Sequence, residues 1–382
     1  MEKRVCSVDG SMATGRDGMN FPAFRDKRVL LTGHTGFKGS WLALWLHRLG
    51  ANVHGYSLPP PTEPSNYALS KVRNVLADET IGDIQDRGLL TRTLAAFKPD
   101  VIFHLAAQPL VRDSYAMPFE TFEVNVMGTA SLLDAVRELN RPCAVVCITT
   151  DKCYENREQV WGYRECDPMG GHDPYSASKG AAEILIASYR RSFFNPAELH
   201  RHGVQVASAR AGNVIGGGDW ARDRIVTDMV AALMEGRPVS VRNPHAIRPW
   251  QHVLEPLSGY LALASAMLGK ADAKWCEGWN FGPVSGSEMP VGKLADAFVK
   301  AWGKGEWVDQ STPNQPHEAS ILRLSIEKAG WLLGWRPRWT CEEMVEKTAR
   351  WYRSVLCEGG DARKACEADI GEYEKKQVLK PG

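Results

Sequence analysis

The feature that most constrains this chain is a glycine-rich turn, Gly33-His-Thr-Gly36-Phe-Lys-Gly39, set between a short apolar run and a stretch of helix formers. The run Arg28-Val-Leu-Leu-Thr32 has the length of a strand, and Ser40-Trp-Leu-Ala-Leu-Trp-Leu-His-Arg48 that of a helix. Glycines spaced G-x-x-G-x-x-G between them permit a tight turn and let the backbone approach a pyrophosphate at a helix N-terminus. With 35 glycines in the chain, an ordinary turn is the competing reading. Position decides between them: a strand, this turn and a helix at the start of a domain make a dinucleotide site.

Further apolar runs follow at Asn52-Val-His-Gly-Tyr-Ser57, Asp100-Val-Ile-Phe-His-Leu-Ala106, Ala144-Val-Val-Cys-Ile-Thr-Thr150 and Val204-Gln-Val-Ala-Ser-Ala209. Each is separated from the next by enough chain for a crossover helix. The alternation predicts an α/β fold, a doubly wound parallel (Rossmann) sheet with a smaller C-terminal α/β substrate lobe. The expected organisation is a mobile N-terminal extension over 1–25, a nucleotide-binding domain over 26–212, a mainly substrate lobe over 213–354 with some segments returning to the first domain, and a polar C-terminal tail over 355–382. A chain of 382 residues with 44% hydrophobic content can fill both cores.

Composition excludes several classes of partner. With 46 basic against 45 acidic residues the net charge is +1, which gives no global field for nucleic acid or an anionic membrane. No apolar run reaches the roughly 18 residues that span a bilayer, and the first 25 residues lack the apolar centre of a signal peptide. The 9 cysteines are odd in number and form no C-x-x-C pair, so neither a metal site nor a disulfide framework is expected, and reduced thiols in a cytoplasm fit.

In the turn, Gly33, Gly36 and Gly39 supply the backbone, and His34, Thr35, Phe37 and Lys38 the side chains nearest a bound dinucleotide. Lys38 and His34 either add charge-assisted contacts to the pyrophosphate or are solvated. The acidic residue that grips an adenosine ribose about 20 residues on is absent, and Ser57 stands near its place. No arginine beside Ser57 claims a ribose phosphate, so NAD is favoured over NADP. Asp83 and Ile84 are candidates for the adenine. Leu105, Ala106 and Ala107 at one strand end, and Thr149, Thr150 and Asp151 at the next, would line the same crevice.

Tyr175-Ser-Ala-Ser-Lys179 places a phenol and an ammonium four residues apart, on one face of a helix. A tyrosine of ordinary pKa about 10 acts as a base near neutrality only if a nearby cation stabilises the phenolate. A Tyr-x-x-x-Lys match is common by chance, and a solvated helix pair is the alternative. The order of a glycine-rich turn, two polar strand ends and then this helix supports the catalytic reading.

These residues carry a resemblance. Gly33 to Trp41, His104-Leu-Ala-Ala-Gln-Pro-Leu-Val111, Asn125-Val-Met-Gly-Thr129 and Tyr175 to Lys179 resemble the extended short-chain dehydrogenases/reductases that modify sugar nucleotides. Within that family, Thr150-Asp-Lys-Cys-Tyr-Glu-Asn156, Arg210 to Trp220, Arg248-Pro-Trp-Gln-His-Val253 and Trp279-Asn-Phe-Gly-Pro283 are similar to the CDP-glucose 4,6-dehydratases. The resemblance spans about Phe24 to Trp351. It implies an NAD-dependent hydro-lyase of deoxysugar biosynthesis, a homodimer or homotetramer that converts CDP-glucose to its 4-keto-6-deoxy derivative.

The resemblance further implies Tyr175 as base at the 4-hydroxyl, Lys179 as its cation and ribose ligand, Thr150 as a hydrogen bond to the 4-oxygen and Asp151 as acid for the departing water. Lys152 stands where the related dTDP-glucose dehydratases have glutamate, and is the proton-handling partner, neutral if buried. Gln108, Asn213, Arg222, Arg224, Arg242, Arg248 and His252 are the implied sugar-nucleotide contacts. Trp220 and Trp250 are expected to pack. A sugar-nucleotide 4-epimerase or reductase of the same fold is the nearest alternative, and a non-catalytic NAD-binding regulator a distant one.

Overall fold

The computed structural model describes residues 19–222, 224–311 and 322–379. Seven parallel strands form one sheet in the order β7-β6-β5-β4-β1-β2-β3. They are β1 (Arg28–Thr32), β2 (Asn52–Ser57), β3 (Asp78–Ile81), β4 (Val101–His104), β5 (Cys143–Ile148), β6 (Val204–Arg210) and β7 (Gly278–Asn280). The central strands are buried on both faces, which is why their sequences are continuous apolar runs. Val29 and Leu31 enter one core and Leu30 the other, as the period of a strand requires.

The longer helices are α1 (Phe37–Arg48), α2 (Arg87–Phe97), α3 (Gly128–Glu138), α4 (Pro174–Ser192), α5 (Ile225–Met234), α6 (Leu254–Gly269), α7 (Val291–Trp302), α8 (Cys341–Cys357) and α9 (Ala362–Lys375). Leu94 of α2, Leu132 and Leu133 of α3 and Ile186 of α4 fill one core. Trp41 and Trp45 of α1, Leu257 and Leu261 of α6 and the helices of the second half fill the other. The strand order reverses beside β1, between β2 and β4, so the crevice for a ligand opens at the carboxyl ends of β1, β4, β5 and β6. Among the described residues no helix is long and apolar enough to cross a membrane.

The structure departs from the sequence reading in three places. Strand β3, Asp-Glu-Thr-Ile, was not expected, because an edge strand needs no continuous apolar run. Trp279, expected in the second lobe, lies on β7 at the opposite edge of the main sheet. The N-terminal extension was expected to be mobile to residue 25, but Phe24 is fully buried against Phe103, and Phe21 packs edge-on to Trp45. Residues 1–18 lie outside the described residues.

The C-terminal segment, expected as a polar tail and trailing helix, forms that helix, α9, and is also an anchor. Asp361 caps α9 by accepting from the Lys364 N–H, and Cys366, Ile370 and Tyr373 are buried. The Tyr373 hydroxyl donates to Glu255 Oε2 at 2.5 Å, while Trp45 Nε1 of α1 donates to Glu374 Oε1 at 2.9 Å. Glu255, at the start of α6, also accepts from the backbone N–H groups of Arg338 (3.0 Å) and Trp339 (2.8 Å). One carboxylate therefore joins α6, α9 and the approach to α8.

Burial pushes the Glu255 carboxyl up to about 7, against the pull of these donors. Its folded pKa lies above the ordinary glutamate value, so protonation favours the folded state. That contribution is fully present below about pH 4.5 and is lost as pH rises through 7, about 3 kcal/mol in all. Glu255→Gln is expected to flatten the stability difference between pH 5 and pH 8 by an amount of that order. Urea unfolding of parent and variant at matched pH values checks it, and parallel profiles would contradict it.

Candidate active site

The turn after β1 is shaped by close backbone approach. Gly33 has φ +75°, and a Cβ there would meet the Ala106 N at 2.8 Å and the Leu105 C at 2.9 Å, so the chain leaving β4 lies directly against it. Leu105, Ala106 and Ala107 are half-buried along this edge. Helix α1 begins at Phe37 with Gly36 as N-cap and no capping side chain, leaving first-turn N–H groups without a side-chain acceptor. A Cβ on Gly36 would meet only the Gly33 oxygen, at 3.4 Å. An uncapped helix N-terminus beneath an open glycine fits a dinucleotide pyrophosphate.

The side chains of the turn divide. Thr35 Oγ1 donates to the Leu58 carbonyl at 2.9 Å and lies 2.8 Å from Ser57 Oγ, so Ser57 tethers the turn to the end of β2. His34 is neither solvated nor aimed at a pyrophosphate, which corrects both expectations. It is fully buried over Gly55, with Nε2 2.6 Å from Glu79 Oε1. Burial lowers its pKa despite that partner, while the hydrogen bonds from Tyr67 and His34 and the nearby Arg73 outweigh desolvation and keep the Glu79 carboxyl low. Glu79 can therefore only accept, and the proton sits on Nε2. Phe37 faces the Gly216 stretch of the second half. Asp83 Oδ1 accepts from Gln85 N at 2.9 Å, and Ile84 is buried.

Lys38 turns toward the reaction centre. Burial pushes it down to about 8, with Arg224 and Lys179 lowering it further and Asp151 and Asp219 opposing.

The catalytic candidates converge from two elements. Asp173 caps α4 by accepting from Ser176 N, and Pro174 opens it, which fixes Tyr175 in the first turn and Lys179 one turn on. After β5, Thr150 caps a short turn over Asp151–Cys153. Thr150 stands close enough to Tyr175 to pull its phenol down, and its Oγ1 donates to Asp151 Oδ1 at 2.9 Å. Burial raises Tyr175 to about 12, with Thr150 pulling it back and Asp151 adding to the rise. Burial also raises Asp151, against Lys152, Thr150 and Lys38, and its Oδ2 has no hydrogen-bond partner among the described residues. Lys179 Nζ lies 3.4 Å from the Ile148 carbonyl and is pushed down to about 8 by burial, with Cys147, Glu183 and Cys153 opposing. Lys152, expected to be neutral if buried, is half-exposed.

The substrate candidates are scattered. Arg224 pairs with Asp219 at 2.6 Å and acts electrostatically on both Tyr175 and Lys38, so it belongs to the cleft. Asn213, at φ +30°, follows Gly212, whose Cα lies against the Asp151 carboxylate. Arg222 is exposed, Arg242 is 3.6 Å from Asp228, and Arg248 lies on a two-residue strand paired with Met289. His252 was expected to supply charge. It is buried between the Trp41 and Trp339 rings, and desolvation drives it down to about 3, so it is neutral there. The Gln108 amide is engaged within its own loop, accepting from Leu110 N and donating to Thr121 Oγ1. Trp220 packs edge-on to Tyr352, and Trp250 is buried.

Several residues at the site were given no role of their own in the sequence analysis. Asn125, on a π-helical turn over Glu123–Met127, donates to Ser178 Oγ at 2.8 Å and accepts from Gln108 N at 2.9 Å, joining the loop after β4 to α4. His104 Nδ1 lies 2.8 Å from Thr32 Oγ1 and Nε2 lies 3.1 Å from Thr129 Oγ1. Thr129 donates to the Asn125 carbonyl, which assigns the imidazole proton to Nε2. Glu183 continues the four-residue spacing of Tyr175 and Lys179, the one signal that could have found it.

Comparison with known proteins places this geometry in context. The family model described as GDP-mannose 4,6 dehydratase matches residues 30–348. A CDP-glucose 4,6-dehydratase of Salmonella typhimurium is 50% identical over 351 residues, covering 92% of this chain and 97% of the relative. A dTDP-glucose 4,6-dehydratase of Streptomyces antibioticus is 30% identical, covering 85% and 92%. The crystal structure of a dTDP-glucose 4,6-dehydratase from Streptomyces venezuelae with NAD bound shares the fold at a TM-score of 0.73 and 23% identity, covering 88% of this chain and 99% of that one.

The contact between Gly212 and Asp151 generates a test. A Cβ at position 212 would overlap both carboxylate oxygens of Asp151. Gly212→Ala is expected to leave the circular-dichroism spectrum intact and to lower kcat by roughly 100-fold through displacement of that carboxyl. Undiminished turnover would remove Asp151 from the chemistry.

Proposed function

The chain belongs to the GDP-mannose 4,6 dehydratase family, and from that premise we propose that it converts CDP-glucose to CDP-4-keto-6-deoxyglucose with NAD as its resident cofactor. The observation that carries the reading is the convergence of Tyr175, Thr150 and Asp151, which puts a base for oxidation and a carboxyl whose pKa burial raises, as an acid for elimination, in one cleft. A 4-epimerase needs only the first of these. The relative named for CDP-glucose supports the choice of substrate.

The first-turn N–H groups of α1 and the Gly33–Gly39 backbone hold the pyrophosphate, and Leu105 to Ala107 flank the dinucleotide. NAD, when bound, accepts hydride from carbon 4 of the sugar and returns it to carbon 6. Tyr175 takes the 4-hydroxyl proton. Bringing its phenol from about 12 to near neutrality requires about 7 kcal/mol of preferential stabilisation of the phenolate. Thr150 and Arg224 already act on that value, so the remainder falls to Lys179 one helical turn on and to the bound cofactor; an ammonium about 4 Å from a phenolate would supply about 4 kcal/mol at an effective dielectric of about 20. The new ketone acidifies carbon 5. Half-exposed Lys152 takes that proton only as its free amine, and the Asp151 carboxyl, whose pKa burial raises, donates to the departing 6-hydroxyl, which leaves as water. Arg224 and Asn213 hold the sugar nucleotide.

The assembly is a homo-oligomer. Phe119, Phe122 and Met127 before α3, and Ile184 and Phe193 on or just after α4, are exposed, an apolar set that a second copy would cover. Phe119→Asp combined with Ile184→Asp is expected to shift the light-scattering mass to the monomer.

Incubation with CDP-glucose and catalytic NAD is expected to yield a 4-keto sugar, read by its alkaline ultraviolet absorbance, without net NADH. Formation of a galacto epimer alone would contradict the dehydratase reading, and preference for dTDP-, UDP- or GDP-glucose would overturn the base assignment. Tyr175→Phe is expected to abolish oxidation. Asp151→Asn is expected to spare oxidation, seen as NADH under single turnover, and to slow water loss by about 100-fold.

A further inference from the structure

Glu183 follows Lys179 by one helical turn and is buried beneath the cleft. Its Oε1 accepts from Thr149 Oγ1 at 2.5 Å, and its Oε2 accepts from Ser208 Oγ at 2.7 Å and from Arg210 NH2 at 2.8 Å. Thr149 immediately precedes the turn that carries Thr150, Asp151 and Lys152. At the far end of that turn, Arg210 NH1 donates to the Tyr154 hydroxyl at 2.6 Å, and Tyr154 donates to Asn280 Oδ1 at 2.8 Å. The two members of one ion pair thus hold the two ends of one turn. Behind them lies a cavity of about 870 Å³, in whose wall both Glu183 and Arg210 stand.

Neutral groups could make the same hydrogen bonds. A buried ion pair is costly to desolvate, and well-packed apolar replacements are often as stable, so its charge invites a functional explanation. We propose that the Glu183–Arg210 pair is a positioning device for the reaction, fixing the catalytic turn through Thr149 and Tyr154 and using the Glu183 charge to keep Lys179 an ammonium.

The surroundings of Lys179 single out Glu183. Lys179 is faced by Cys147 of β5, Cys153 of the catalytic turn, His104 of β4, Lys38 of α1 and Glu183 of α4. Burial raises Cys147 to about 12 and Cys153 well above its ordinary value, and lowers His104 to about 3. All three are neutral where a buried lysine titrates. Lys38 opposes the ammonium. Glu183 is the remaining anion, and Arg210 sets how much of its field reaches Lys179. The inference rests on the role given to Lys179 above.

The test compares Glu183→Gln, Arg210→Met and Thr149→Val in the full chain. Two pH profiles are recorded, the dissociation constant for NAD without any sugar nucleotide and kcat/KM for CDP-glucose. Removing a full charge one helical turn away is expected to displace the alkaline limb by about one pH unit or more. Glu183→Gln moves it toward acid, because it leaves the Arg210 cation unopposed, and Arg210→Met moves it toward alkali. Thr149→Val leaves the limb in place and lowers kcat at least about tenfold, because the turn is released without any change of charge.

Opposite displacements separate charge from packing, since a merely structural loss would move both variants alike. Limbs that stay put or move together overturn the charge role, and full kcat in Thr149→Val overturns the positioning role. If Glu183→Gln does not fold, the sign of the Arg210→Met displacement decides. A wrong sugar-nucleotide assignment silences only the kcat/KM profile and leaves the NAD profile readable, whereas a limb that persists in Lys179→Met refutes both the inference and the role of Lys179.

Discussion

Removal of charge from water along the carboxyl edge of one parallel sheet is the constraint on which the rest of this structure depends. Lys38, Asp151, Tyr175, Lys179 and Glu183 all gather there, and desolvation pushes every one of them toward its neutral form and prevails in all but Glu183. Glu183 alone is held ionised, because Arg210, Thr149 and Ser208 outweigh the cost of its burial. A site of this kind is held in place only if every buried polar atom finds a partner or a ligand. The hydrogen bonds from Thr149 and Ser208 to Glu183, from Arg210 to Tyr154 and from Tyr154 to Asn280 supply most of those partners, and they tie β5, β6, β7 and α4 into one frame.

Features legible in the sequence are those governed by local spacing. The glycine turn, the alternation of strands and helices and the Tyr175/Lys179 pair are each set by residues within about one turn or one strand of one another, and each stands where expected. His34 was ambiguous because its fate depends on Glu79, which is 45 positions away on an edge strand with no apolar signature. His252 resembled a cation in a basic stretch, yet Trp41 and Trp339 enclose it from opposite ends of the chain. Arg210 and Glu183 lie 27 residues apart and meet only because β6 lies under α4. Pairings of this range are decided by tertiary packing, which no periodicity records.

The second half of the chain is less separate than composition suggested. Trp279 and Asn280 extend the main sheet, and α9 returns to α1 and α6 through Glu374 and Tyr373. Both walls of the cleft are consequently braced against the nucleotide-binding turn: Phe37 meets the Gly216 stretch, and Trp41 Nε1 donates to the Gly217 carbonyl at 2.9 Å. A lobe held in this way can keep Arg224 and Asn213 at fixed positions relative to Tyr175.

Fixed positions matter because the groups assigned to oxidation and to elimination share their charge. Thr150 acts on Tyr175 and donates to Asp151, and an ionised Asp151 raises the phenol. The pair therefore titrates as a unit, and the phenolate forms most readily while Asp151 keeps its proton. A phenolate beside a carboxylic acid is what removal of the 4-hydroxyl proton requires, and it leaves Asp151 the proton that later loss of the 6-hydroxyl needs. Lys152 and Lys38 at Asp151 and Arg224 at Tyr175 favour one negative charge on the pair, and burial resists a second. The order of the two steps follows from the same electrostatics, since Asp151 becomes an easier donor once Tyr175 has taken up the hydroxyl proton and is neutral again.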